Sequence, residues 1–145
     1  MKKHSPKIFI MDDDKFFANI LKNYLNNQNM EDVHVFHVEL DLLKNLPEEP
    51  DLIIMDHTLE NTTGLEMIEI IKRAKPRTQF IYLSAQEFYH IAIKAMKLGA
   101  IDYIEKNQRS FDKLKSIIDK INTTTNHFED LSTIPKLRSE ILAMR

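Results

Sequence analysis

The chain contains no cysteine. That excludes a disulfide framework, a thiolate metal site and a cysteine nucleophile, and it fits a reducing compartment. Glycine is nearly absent as well: Gly64 and Gly99 are the two in 145 residues. Two glycines so far apart cannot build a phosphate-cradling loop, so P-loop and dinucleotide fingerprints are excluded. Each is expected where the backbone itself needs glycine. No apolar run approaches the length of a membrane span. The N-terminus, MKKHSPKIFIMDDD, starts like a secretory signal, but its apolar run is cut off by Asp12, Asp13 and Asp14. Charge of one sign is lacking too. With 20 basic and 22 acidic residues the net charge is −2, a balance that calls for neither nucleic acid nor an anionic membrane. The expectation is a cytoplasmic protein with no membrane contact and no direct nucleic-acid binding.

What is present is a strict alternation. Short apolar runs at 8–11, 33–36, 52–55 and 80–83, with a weaker one at 101–104, are mostly continuous rather than alternating. Continuous runs mark strands covered on both faces, as in a parallel sheet. Between them lie amphipathic stretches. Phe16, Phe17, Ile20, Leu21, Tyr24 and Leu25 recur at helical spacing behind Asp14, which suits an N-cap. Further helices are expected at 39–46, from Leu65 to before Pro76, at 87–98 with Gly99 at the C′ position, and at 110–122. Five βα units predict an open α/β fold: a doubly wound five-stranded parallel sheet, order 2-1-3-4-5, with helices on both faces. This domain is expected over residues 1–122. Residues 123–145 read as an extension, with a linker at Thr123–Asn126 and a short amphipathic helix at 134–144 carrying Ile134, Leu137, Ile141 and Leu142.

Open α/β sheets bind ligands at the carboxyl ends of their strands. There the sequence places Asp12, Asp13 and Asp14 after the first strand, Asp56 at the end of the third, Ser84 after the fourth and Lys106 after the fifth. Alone, each piece has a bland explanation, since an Asp run often caps a helix and a Ser or Lys is usually surface. Their joint delivery to one sheet edge is what points to a site. Converging carboxylates repel one another, and a hard divalent cation such as Mg²⁺ relieves that repulsion. The same ion would neutralise an incoming phosphoryl group and let Asp56 attack phosphorus, while Lys106 and Ser84 meet the phosphoryl oxygens.

With IFIMDDD (8–14), DLIIMDHTLENTTG (51–64), YLSA (82–85) and GAIDYIEK (99–106), the sequence resembles response-regulator receiver domains of two-component signalling over residues 7–122. The resemblance implies a flavodoxin-like fold in which Asp56 takes a phosphoryl group. The donor would be a sensor histidine kinase, a phosphotransfer protein or a small phosphodonor. It implies a Mg²⁺ (or Mn²⁺) site formed by Asp13, Asp12, Asp56 and the backbone carbonyl of Thr58. Ser84 matches the switch hydroxyl and Tyr103 the switch aromatic, and the implied output face is made by the fourth helix, fifth strand and fifth helix. Partners would be a downstream protein or an output domain, and a homodimer through that face or the C-terminal helix is left open. Such a domain is not an enzyme but a phosphoacceptor that promotes its own phosphorylation and slow dephosphorylation. Two positions depart from the family pattern: Glu60 stands four residues after Asp56, and Asn107 follows Lys106, where proline is usual. A cis peptide at a non-proline residue costs about 3 kcal/mol, so a trans bond is expected at Asn107.

Two other readings compete. An aspartyl-nucleophile phosphatase needs a second aspartate two residues after the nucleophile, where Thr58 stands. A receiver-like interaction module independent of phosphorylation would need none of these side chains. His57 reads as structural, because strand geometry turns it away from the face of Asp56, and the seven methionines read as core filling.

Overall fold

Among the described residues, five parallel strands form one sheet in the order β2-β1-β3-β4-β5. The computed structural model describes residues 5–85 and 89–132, with side chains to residue 121. The strands are β1 (Ile8–Met11), β2 (Val33–Phe36), β3 (Leu52–Asp56), β4 (Gln79–Ser84) and β5 (Asp102–Glu105). The helices are α1 (Lys15–Asn27), α2 (Glu39–Asn45), α3 (Gly64–Ala74), α4 (Tyr89–Lys97) and α5 (Ser110–Ser132). A single 3₁₀ turn, Leu46–Glu48, takes Pro47 after α2. The expected topology and element order are those observed.

Burial explains why the central runs are continuous. Every residue of β1 and β3 is buried, whereas the edge strands β2 and β5 are partly open. One sheet face presents Phe9, Met11, Ile53, Met55, Phe80 and Tyr82 to a core completed by Leu42 of α2, Met67, Ile68 and Ile71 of α3 and Ala95 of α4. Strand alternation sends Ile8, Ile10, Leu52, Ile54, Ile81 and Leu83 to the other face, where α1 contributes buried Ala18, Leu21 and Leu25.

Local signals set the helix ends. The Asp14 side chain accepts a hydrogen bond from the Phe17 N–H at 3.1 Å and starts α1 directly behind the acidic run. Gly99 has φ of +100° after α4. Its N–H donates to Met96 and the Ala100 N–H to Ala95, the paired bonds of a Schellman ending that favours glycine.

The C-terminal part departs from expectation. Helix α5 continues to Ser132, so Thr123–Asn126 is helix rather than linker and the boundary expected at 122 falls inside it. Threonine costs only about 0.6 kcal/mol against alanine in a helix, and each added residue gains a backbone hydrogen bond once the helix is nucleated. The helix expected at 134–144 lies outside the described residues, as do positions 87 and 88 of the fourth helix. The chain divides into two units, Met1–Phe111 and Asp112–Arg145, and every site residue considered below belongs to the first. Among the described residues no helix is long and apolar enough to cross a membrane.

Candidate functional site

The parallel register aligns the ends of β1, β3, β4 and β5 at one edge. Asp12 continues β1 by one residue, its N–H donating to the Phe36 carbonyl at 3.0 Å. It is completely buried, and its Oδ1 accepts from the Asp14 N–H at 2.9 Å. Asp56 is the last residue of β3 and is 4% exposed. Asp13 is exposed at the rim. One oxygen from each of these three carboxylates falls within 4.8 Å of the others.

Lys106 answers them from the end of β5. Its Nζ lies 2.7 Å from Asp12 Oδ2 and 3.1 Å from Asp56 Oδ1. The lysine is anchored by its own N–H, which donates to the Ser84 carbonyl at 2.7 Å. Ser84 itself is buried at the end of β4, so backbone pairing fixes it beside both Lys106 and the Asp56 strand. No described peptide is cis, and the Lys106–Asn107 bond is trans as expected. Where proline is usual, side-chain hydrogen bonds hold the turn. Asn107 Oδ1 accepts from the Arg109 N–H at 2.8 Å, and the Ser110 hydroxyl donates to the Asn107 carbonyl at 2.5 Å.

The electrostatics follow from burial. Burial pushes the Asp56 carboxyl up from 3.8 to about 6; the charge of Asp12 adds to this, and Lys106 opposes it. Asp12 is also raised, by burial, against the hydrogen bond and charge of Lys106. Burial acts to lower the Lys106 pKa, but its hydrogen bond to Asp12 and the charges of Asp12 and Asp56 outweigh that, and the ammonium is held above its usual range. The pocket therefore carries more negative charge than one ammonium can balance.

Thr58 is exposed at the start of the β3–α3 loop and forms an isolated antiparallel bridge with Thr63. The loop closes through the Gly64 N–H, which donates to the His57 carbonyl at 2.9 Å. Gly64 is required by this closure, since a Cβ there would sit 2.3 Å from the Asp56 carbonyl oxygen and 2.7 Å from the Tyr82 ring. Tyr103 is half-buried, and its ring stacks on Tyr82 with centroids 5.9 Å apart.

Sequence reasoning placed Asp12, Asp13, Asp56, Ser84 and Lys106 at one edge, and the structure brings them together. It missed two neighbours. Tyr82 was only a strand residue, yet its hydroxyl pairs with His57 Nδ1. Phe17 was only a helical apolar position, yet its ring lies under Lys106 Nζ at 4.7 Å. Phe17 stands one turn into the helix that Asp14 caps, but periodicity alone does not say which partner its ring meets.

A doubly wound parallel sheet with an acidic pocket at its carboxyl edge defines a class of α/β proteins whose ligands sit at that edge. The family model for the response regulator receiver domain matches residues 8–119, and the chain belongs to that family, the receiver domains of two-component response regulators. The chemotaxis protein CheY of Listeria monocytogenes is 31% identical over 101 residues, covering 69% of this chain and 85% of CheY. The transcriptional regulatory protein TdiR of Thauera aromatica is 25% identical over 146 residues. That match covers 93% of this chain, which spans 64% of TdiR's length. Among solved structures, the BeF3-activated DrrB receiver domain aligns with a TM-score of 0.72 at 26% identity, covering 81% of this chain and 97% of that one.

Proposed function

We propose that Asp56 accepts a phosphoryl group from a sensor histidine kinase, a phosphotransfer protein or a small phosphodonor, and that the resulting charge switches the surface around Ser84 and Tyr103. The observation that carries this reading is the meeting of three carboxylates, within 4.8 Å of one another, with one ammonium at 2.7 and 3.1 Å. Two of those carboxyls are raised by burial, which is the electrostatic signature of a pocket built to receive more positive charge. Asp13, Asp12 and Asp56 converge as carboxylate ligands of the kind that Mg²⁺ or Mn²⁺ takes, with the Thr58 carbonyl as the further ligand that the family resemblance implies. Such an ion, when bound, supplies the charge that offsets repulsion between a carboxylate nucleophile and an anionic phosphoryl group.

The chain's own groups do the rest. An Asp56 carboxylate oxygen forms the new bond to phosphorus, and the donor leaves with the electron pair of the broken bond. Lys106 exchanges its contact with Asp56 for a phosphoryl oxygen, and the Ser84 hydroxyl donates to another. Both lie on strand ends whose positions the sheet hydrogen bonds fix, so little needs to be reorganised. Ser84 drawn toward the phosphoryl group leaves room for the half-buried Tyr103 ring, and α4 and β5 register the change. Thr58, at the place of a phosphatase's general acid, supports a phosphoacceptor rather than a turnover enzyme.

Incubation with acetyl phosphate and Mg²⁺, read by intact mass, tests the proposal. One phosphoryl adduct is expected, lost in Asp56→Asn and with EDTA. A wild-type protein that takes no adduct would leave the phosphorylation-independent interaction module as the better reading, and sustained turnover of phosphate esters would favour the phosphatase.

A further inference from the structure

We propose that Phe17 is a positioning residue for Lys106, holding the ammonium over the acidic pocket by the negative face of its ring. The inference rests on the phosphoacceptor reading for its functional consequence, and on geometry for the contact itself. Lys106 Nζ is 4.7 Å from the Phe17 centroid while reaching Asp12 at 2.7 Å and Asp56 at 3.1 Å. Two carboxylate oxygens and one aromatic face thus restrain a point charge on a flexible four-carbon stem, the ring from a side that neither carboxylate covers.

The ring is itself held. The bond from the Phe17 N–H to the Asp14 carboxylate fixes the backbone at this position. Phe111 lies against the Phe17 ring, centroids 5.7 Å apart, and Tyr24, two helical turns along α1, stacks on Phe111 at 5.3 Å. An aromatic cluster between α1 and the residue after Ser110 therefore forms a wall that backs the ring facing the lysine. The wall has a chemical reason beyond packing. When Lys106 trades Asp56 for a phosphoryl oxygen, one of its anionic partners changes, and the ring stays as a partner common to both states. An aliphatic side chain there would fill space without attracting the cation.

The consequence is a rate effect transmitted through Lys106. Phe17→Leu keeps apolar bulk and loses the quadrupole, and should slow Asp56 phosphorylation by acetyl phosphate at saturating Mg²⁺ by about three- to tenfold. Phe17→Tyr and Phe17→Trp should keep the rate. Replacing Phe17 by mono-, di- and trifluorinated phenylalanine withdraws the ring's negative face with little change of shape, and the rate should fall stepwise along that series. A metal-free readout goes with it: in the EDTA-treated protein the Lys106 ε-methylene NMR signal should be displaced by the Phe17 ring current, and the displacement should vanish in Phe17→Leu.

A rate that is flat across the fluorinated series overturns the proposal, because a purely steric role predicts that result. So does a Lys106 signal unmoved by Phe17→Leu. Failure of the parent reading looks different: the wild-type chain would then take no phosphoryl group, while the metal-free displacement would still report the contact.

Discussion

Asp56→Asn should make the metal-free protein more stable, and by an amount that depends on pH. Asp56 is buried at the end of β3, between Asp12 and Lys106, and its carboxyl is raised from 3.8 to about 6. A carboxyl whose folded pKa lies above its unfolded value binds protons more tightly when folded. Folding therefore takes up a proton between the two values, and stability falls as pH rises through that window. A rise from 3.8 to about 6 is worth about 3 kcal/mol once Asp56 is fully ionised. Asparagine keeps an oxygen acceptor for Lys106 and removes the ionisation. The opposing pull of Lys106, which keeps Asp12 at 2.7 Å in the variant, is already contained in that shift, so the shift bounds the gain, at about 1–3 kcal/mol. For a chain of this size that corresponds to roughly 3–9 °C in Tm. Urea unfolding in EDTA, followed by circular dichroism from about pH 4 to pH 8, reads the effect directly. The Asn variant should exceed wild type above about pH 6, and the two should converge near pH 4. Mg²⁺ should narrow the gap by stabilising wild type more than the variant. A stability difference that does not change over this range would refute the reasoning, because it would mean that Asp56 ionises without cost.

The complementary change should act in the opposite direction. Lys106→Met leaves two buried carboxylates without their ammonium and should cost about 3 kcal/mol at neutral pH, recovering as acid protonates them; the same unfolding series measures it, and a pH-independent loss would count against the charge argument. Gly64→Ala should cost about 2–3 kcal/mol, because its Cβ would meet the Asp56 carbonyl oxygen at 2.3 Å, a backbone clash that no side-chain rotation relieves. A urea midpoint equal to wild type would show that the loop yields more easily than its geometry implies.

The strands, four helices and site edge were legible because each rests on a local signal with a long reach. Continuous apolar runs such as Leu52–Met55, too short for helices, read as strands covered on both faces, and right-handed βα crossovers then leave few topologies, of which 2-1-3-4-5 is the simplest. Once that order holds, residues just past the strands must meet, and Asp12, Asp13, Asp56, Ser84 and Lys106 needed no contact information to be placed together. Helix α5 was misjudged at its far end because a run of threonines reads as linker by composition, while helix propagation is cooperative and tolerates it.

Chain order and residue type were thus enough to decide which groups share the pocket. Only the fold decided how they are supported. The ring of Phe17 under Lys106, the Tyr82 hydroxyl on His57, the space that Gly64 leaves for the Asp56 backbone and the upward drift of two buried carboxyls all depend on side-chain direction and on exclusion of water. Periodicity carries neither. A residue's face repeats along its own element, but what lies opposite that face is set by the packing of another element, and the strength of each charge by the solvent that packing removes.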